Sequence, residues 1–412
     1  MKRLALITCL VALMVALPIT GCAPEEVAPP EERVIKIGTV PDLTSHYSAI
    51  VTEIYRGGML RIHYLNEAGG INGIPIEVMW VDGRSDASVI IAAYKRFKEQ
   101  GMMVFWPYTS TDATPTLSFI NRDKMPTAGY SSSGKLYVPP GYYFYAHCNP
   151  FHSFTVALKW YENELKRKGL DRPMRLATLG MDSPYGREGL QPRTVMLPQH
   201  GIELVSAQWV SSMSLDHTTE LLLIKEAKPD VICTITNTGV TARDAGRIGL
   251  PKDIPIWGLG MIETASYADL GGDEYYRAMS ANPVWLSWEA CPVEEEIGRL
   301  YQKYFGKMRP RLPYGTLSGW ATTGIACEGI RKALDKVGYE ALTNEAIFEG
   351  ILSLEDWDAE SGALISYQDY PGDRVAQEIF KIWRYSLPDK DWRSLTDWLE
   401  APPFSEYVEY FE

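Results

Sequence analysis

The chain has 412 residues, of which 46% are hydrophobic and 22% charged. That is enough apolar mass for two cores, and it excludes a mostly disordered protein. Forty Lys and Arg against 52 Asp and Glu leave a formal charge of −12, which argues against sequence-independent nucleic-acid binding, because such binding needs clustered positive charge.

In chain order, Lys2 and Arg3 precede a run from Leu4 to Ile19 that is apolar apart from Thr8. The run falls short of the roughly 20 residues that span a bilayer and has the pattern of a secretory signal. Ile19-Thr20-Gly21-Cys22 resembles a bacterial lipobox. Residues 1–21 are therefore expected to be a signal peptide and Cys22 to carry lipid. Residues 22–33 are expected to be the lipidated end and a tether, because APEEVAPPEER holds three prolines and four glutamates and so reads as extended and self-repelling. No later segment is long and apolar enough to cross a membrane.

The body reads as alternating strands and helices. Residues 34–40 read as a buried strand, 58–70 as a helix stopped by Gly69-Gly70, and 74–81 as a strand. A helix over 87–100, a short strand over 102–106, a helix near 113–122 and an apolar run at 125–129 follow. The pattern then restarts: helix 154–168, strand 174–179, a largely helical 185–200, strand 202–209, helix 218–228, strand 230–236, helix 240–248, strand 254–258. Two more helices are expected at 291–307 and 316–337, and a hairpin over 364–384 turning at Tyr370-Pro371-Gly372-Asp373. Such alternation means right-handed βαβ units: an α/β protein with two doubly wound parallel-sheet lobes and a cleft where ligands bind at strand C-termini. Cys148, Cys233, Cys291 and Cys327 lie far apart with no CxxC pair. No metal site or cofactor is expected, and Cys233 and Cys327 read as buried thiols.

Three stretches carry a resemblance: IKIGTVPDLTSHYS (35–48) with LNEAGGINGIPIEVMWVDGRSD (65–86), YTSTDATPTL (108–117) with MPTAGYSSS (125–133), and DSPYGREGL (182–190). Together they resemble the branched-chain amino-acid binding protein family, the type I periplasmic solute-binding proteins of ABC importers. The resemblance implies two lobes joined by a three-strand hinge. Lobe one would hold 34–150 and 283–350, lobe two 151–282 and 351–385, leaving 386–412 as a tail. It also implies ligand contacts from Tyr47 and His46 in the first loop, Ser110 and Thr111 at a helix start, Gly129 and Ser131 in the next loop, and Tyr185 and Asn237 from lobe two. Hydroxyls and unpaired N–H groups at a helix start suit a carboxylate, although Ser and Thr also simply cap helices there. The family's amino-acid binders place an acid after the strand near 254–258 to pair the ligand ammonium. Here GLGMIETAS offers only Glu263, and late. Either a loop shift supplies that acid or the ligand has no ammonium. Trp106, Tyr108 and Tyr130 are expected as an aromatic wall or as ordinary core.

The function implied is a non-enzymatic, membrane-anchored lipoprotein, periplasmic or at the cell surface. It would deliver a small amino-acid-like, amide or aromatic carboxylate solute to an ABC permease. Two other readings stand beside it: a ligand-sensing receptor subunit of the same fold, and an exported hydrolase. The hydrolase lacks support, since the sequence contains no GxSxG, HExxH or Walker pattern.

Overall fold

The computed structural model describes residues 33–45, 47–131, 133–136, 139–145, 150–183, 186–187, 189–190, 197–211, 214–259, 265–282, 293–306, 314–360, 364–367 and 379–400. The first apolar runs are strands β1 (Ile35–Thr39), β2 (Ile76–Trp80), β3 (Val104–Trp106), β4 (Thr127–Gly129) and β5 (Tyr143–Tyr145). They lie in the order β2-β1-β3-β4-β5, all parallel, with Ile35 opposite Ile76 and Thr39 opposite Trp80. Helices α1 (Ser48–Glu67), α2 (Ala87–Glu99) and α3 (Ser110–Asp123) make the connections.

The glycine-rich turn after α1 is built from positive φ angles. Asn72 and Gly73 have φ of 52° and 81°, and they join Ile71 to Ile74 through reciprocal backbone bonds of 2.9 and 3.0 Å. Two successive positive φ values suit Asn-Gly. The Asn66 side chain then pairs with both the N–H and the C=O of Ile76 at 2.9 Å, which sets where β2 begins. α1 starts ten residues before the expected 58. Gly57 and Gly58 read as helix breakers, but they mark a close approach. A Cβ on Gly57 would lie 1.9 Å from the Thr316 carbonyl, and one on Gly319 would lie 1.9 Å from that of Ile54.

The second half repeats the plan. α4 (Pro150–Arg167) leads into β6 (Met174–Asp182), β7 (Ile202–Ser211), α5 (Thr218–Glu226), β8 (Val231–Ile235), α6 (Thr238–Arg247), β9 (Ile256–Gly258), α7 (Ala265–Gly271) and β10 (Ala278–Asn282). Their strand order, β7-β6-β8-β9-β10, matches that of the first sheet. Of the helix expected over 185–200, residues 186–187 and 189–190 are helical and Leu197–His200 forms a 3-10 turn. α8 (Glu294–Phe305), α9 (Tyr314–Val337) and α10 (Asn344–Leu352) return to the first sheet. Ile325, Ile330, Ile347 and Ile351 share one core with Ile35, Ile37 and Val104, while Ile297 and Leu300 of α8 cluster with Leu60 of α1 and Trp320 of α9.

Three expectations need correction. The second sheet is mixed rather than wholly parallel, because β13 (Ile379–Ser386) pairs antiparallel with β10 and then with β14 (Asp391–Ser394) and β15 (Leu399–Glu400). Among the described residues, the two arms of the hairpin expected over 364–384 do not pair with each other. β12 (Leu364–Ile365) pairs with β11 (Trp357–Asp358), and β13 turns instead toward residues placed in the tail. The crossover expected at 350–351 falls inside α10, and Leu354, Ala359, Ile365 and Tyr367 still belong to the first core. Tyr367 is tied there by donating its hydroxyl to the Tyr145 carbonyl at 3.1 Å. The expected turn at 370–373 lies outside the described residues. Among the described residues, no helix is long and apolar enough to cross a membrane. Cys233 and Cys327 are buried, and burial pushes the Cys327 thiol up to about 12.

Candidate functional site

In both sheets the strand order reverses between the first and third strands, at β1/β3 and at β6/β8. Loops leaving such a switch point diverge and open a crevice beyond the strand C-termini, where ligands of α/β sheets bind. In the first half that crevice is built from residues 42–45 and Tyr47 and from Tyr108 to Asp112. In the second it is built from Ser183 and from Thr236 and Asn237.

The loops of the first half are fixed by carboxylates. Asp42, fully buried, accepts from the Ser45 N–H at 3.1 Å and from the hydroxyls of Ser45 and Ser85. Asp82 accepts from the Leu43 N–H at 3.1 Å and the Thr44 hydroxyl at 2.7 Å. The loops after β1 and β2 are thus laced together. Thr39 donates its hydroxyl to the Trp106 carbonyl at 2.7 Å and hydrogen-bonds the Tyr108 hydroxyl at 2.9 Å, anchoring β1 against β3. Trp106 and Tyr108 are fully buried core, and Tyr130 is half-buried against the same core.

Five expected contacts of the first half converge here. Ser110 opens α3, and its hydroxyl lies 2.8 Å from that of Ser131. Thr111 follows, half-buried. The N–H groups of both residues sit in the first helical turn, where no intrahelical acceptor exists. Ser131 is held by Tyr143, whose hydroxyl accepts from the Ser131 N–H at 2.8 Å and donates to its C=O at 3.0 Å. Gly129 is required by that arrangement, since a Cβ there would lie 2.3 Å from the Tyr143 oxygen. Tyr47 precedes α1, and its hydroxyl hydrogen-bonds Ser183 of the second half. Burial raises the Tyr47 pKa, the Ser183 bond opposes this, and the charges of Asp42 and Asp112 add to it.

Ser183 stands at the end of β6, where its hydroxyl accepts from the Gly186 N–H at 3.2 Å. A Cβ on Gly186 would lie 2.0 Å from the Met181 carbonyl, so the turn needs glycine. Asn237 ends the segment after β8 and caps α6 by accepting from the Val240 N–H at 3.1 Å. That is the ordinary capping role of the residue. His46, Tyr185, Glu263 and Cys22 lie outside the described residues.

Sequence reasoning missed Asp42, Asp112 and Ser183. Asp112, the third residue of α3, is fully buried and accepts from the Thr109 N–H at 3.0 Å through Oδ2. Its Oδ1 has no hydrogen-bond partner among the described residues. Burial pushes this carboxyl up to about 7, the Thr109 hydrogen bonds oppose the rise, and the charge of Asp42 adds to it. The available signal was an acid directly after β1 and a Thr-x-x-Asp pattern after β3. Among the described residues no group of three or more His, Cys, Asp or Glu is arranged to hold a metal ion.

The chain matches no curated protein sequence. It is similar in fold to a branched-chain amino-acid ABC transporter protein from Thermus thermophilus with bound valine, at a TM-score of 0.76 and 19% identity over 91% of this chain and 98% of that one. A fatty acid ABC transporter substrate-binding protein from Thermomonospora curvata gives 0.75 and 17% over 92% and 94%. A solute-binding protein of an ABC transporter from Rhodopseudomonas palustris BisB5, in complex with 3,4-dihydroxybenzoic acid, gives 0.71 and 17% over 89% and 98%. The periplasmic binding protein family model matches residues 34–377, and with two sheets that share one strand order, the chain belongs to that family.

Proposed function

We propose that this protein is the extracytoplasmic substrate-binding component of an ABC importer, holding a small amino-acid-like, amide or aromatic carboxylate solute between its two halves. The observation that carries this reading is the meeting of two switch-point crevices, joined by the Tyr47–Ser183 hydrogen bond. Solute enters an open form. Contacts from both halves then favour the closed form, with the crossovers as hinge, and a permease recognises the closed surfaces. Ser110, Thr111 and Ser131 are the proposed contacts of the first half, and Tyr185 those of the second. Glu263 is the proposed partner of a ligand nitrogen in the second half. Relatives of this fold are described with valine, a fatty acid and a dihydroxybenzoic acid, so side chains rather than fold select the solute. The body is anchored through lipid on Cys22 and spaced from the membrane by residues 23–33, which reach roughly 34 Å if extended.

The test is a thermal-shift screen against amino acids, short amides, urea and aromatic carboxylates. A solute at 100 times its Kd stabilises the protein by about 2.7 kcal/mol. A reproducible rise in Tm with one class supports the reading. A flat response to every class overturns it.

A further inference from the structure

Resting on that reading, we infer that the first half supplies its own carboxylate to the solute: Asp112, backed by Asp42, takes a protonated nitrogen of a small amine-bearing ligand. The two acids come from different elements, Asp42 from the loop after β1 and Asp112 from the first turn of α3. Both are fully buried. Among the described residues neither is paired with a Lys or Arg. Asp42 is saturated by the Ser45 N–H and the Ser45 and Ser85 hydroxyls. Asp112 is not, because Thr109 occupies Oδ2 while Oδ1, shielded from solvent, has no partner.

A buried carboxylate oxygen with nothing to accept from is costly, and such a group calls for an explanation, a bound ion or ligand among them. Helix capping needs only one oxygen of Asp112, so it leaves the second unexplained. The charge of Asp112 reaches Tyr47, the residue whose hydroxyl meets Ser183. Asp112 thus lies at the end of α3 nearest Tyr47. Among the described residues, the titratable groups around Asp112 are Asp42, Tyr47, Tyr108 and Tyr143, and none of them is a cation. A protonated nitrogen would give Oδ1 a charge-assisted donor and offset one of the two adjacent negative charges. With Asp112 pushed up to about 7, part of the population is protonated at neutral pH, and binding a cation releases that proton.

The experiment uses the full chain purified in detergent and three ligand pairs that differ only in the nitrogen: benzylamine and benzyl alcohol, isoamylamine and isoamyl alcohol, L-isoleucine and 3-methylpentanoate. Calorimetry in two buffers of different ionisation enthalpy gives both Kd and proton release. The expected result is that the amine of at least one pair binds at least tenfold tighter than its nitrogen-free partner, with proton release at pH 7. Asp112→Asn, which keeps an oxygen for the Thr109 N–H, should abolish both the preference and the release. Equal or tighter binding of the nitrogen-free members overturns the inference and leaves the binding-protein reading intact. Amine preference without proton release, or undiminished in Asp112→Asn, overturns it as well. Should Asp112→Asn fail to fold, proton release by the wild-type chain still decides. A panel with no binder at all overturns this inference together with the small-solute reading.

Discussion

The hydroxyls of Tyr47 and Ser183 hydrogen-bond each other, one from the loop before α1 and one from the end of β6. On the closing mechanism proposed above, this bond would form when the two crevices face each other and so would favour the closed form. Removing it shifts the population toward the open form, and apparent affinity falls with the fraction that is competent to bind. Tyr47→Phe keeps the ring and deletes the bond. A net hydrogen bond is worth about 1 kcal/mol, so Kd for a solute found in the screen should rise roughly fivefold. Calorimetry on mutant and wild type checks this, and an unchanged Kd removes Tyr47 from the closing mechanism.

Asp112 makes stability depend on pH in a direction opposite to that of a salt-bridged acid. Its folded pKa is about 7 against an ordinary 3.8, so between these values the folded state holds the proton and the unfolded state does not. Stability therefore falls as pH rises from about 4 through 7, by an amount of order 4 kcal/mol if nothing else relaxes. Asp112→Asn cannot ionise. Relative to wild type it should gain stability from pH 5 to about pH 7 and level off above that, read from denaturant midpoints of both chains across pH 5 to 8. Parallel pH profiles would mean that the buried carboxyl is already ionised and compensated.

The alternation of strands and helices was legible because β1, β3, β6 and β8 are short apolar runs bounded by turn residues, a pattern that local chemistry alone explains. The start of α1 was not, since Gly57 and Gly58 look like breakers until α9 arrives against them from 260 residues away. Distant pairing also explains the misplaced hairpin, because β13 is fixed by β10 on one side and β14 on the other. At the site, the serines and Tyr47 were readable as polar groups at strand ends. Asp112 was hidden because a Thr-x-x-Asp pattern reads as a helix cap, and its full burial is a tertiary fact. The resemblance pointed to an acid in the second half, at Glu263, and so drew attention away from the first.

Gly129 ends β4 with the Tyr143 hydroxyl over the position that a side chain would take. The tyrosine cannot move freely, because the same oxygen holds both backbone groups of Ser131. Gly129→Ala should therefore cost about 1–3 kcal/mol, as overpacking does, and should also displace the Ser131 hydroxyl from Ser110. Urea denaturation reads the first effect and solute affinity the second. Adding Tyr143→Phe should not restore the lost stability, because a Cβ would also lie 2.4 and 2.5 Å from two ring carbons that phenylalanine keeps, and the Ser131 backbone would lose its partner. A double variant clearly more stable than Gly129→Ala would place the strain on the hydroxyl alone.

The anchor is tested apart from the cleft. If Cys22 carries the lipid, Cys22→Ser blocks its attachment, and the protein should leave the membrane fraction or remain as an unprocessed precursor that is longer by residues 1–21. A single myristoyl chain gives only marginal membrane binding, whereas two or more chains hold firmly. Wild-type protein should therefore resist high-salt washing and dissolve only in detergent. Mass spectrometry of the wild-type N-terminus should find acyl chains on Cys22 and none on the mutant. The isolated folded body should bind solute equally well in both, because every solute contact proposed above lies beyond residue 33. A wild-type protein that is washed off by salt, or one cleaved at a site other than before Cys22, would refute the lipid anchor and leave the binding site untouched.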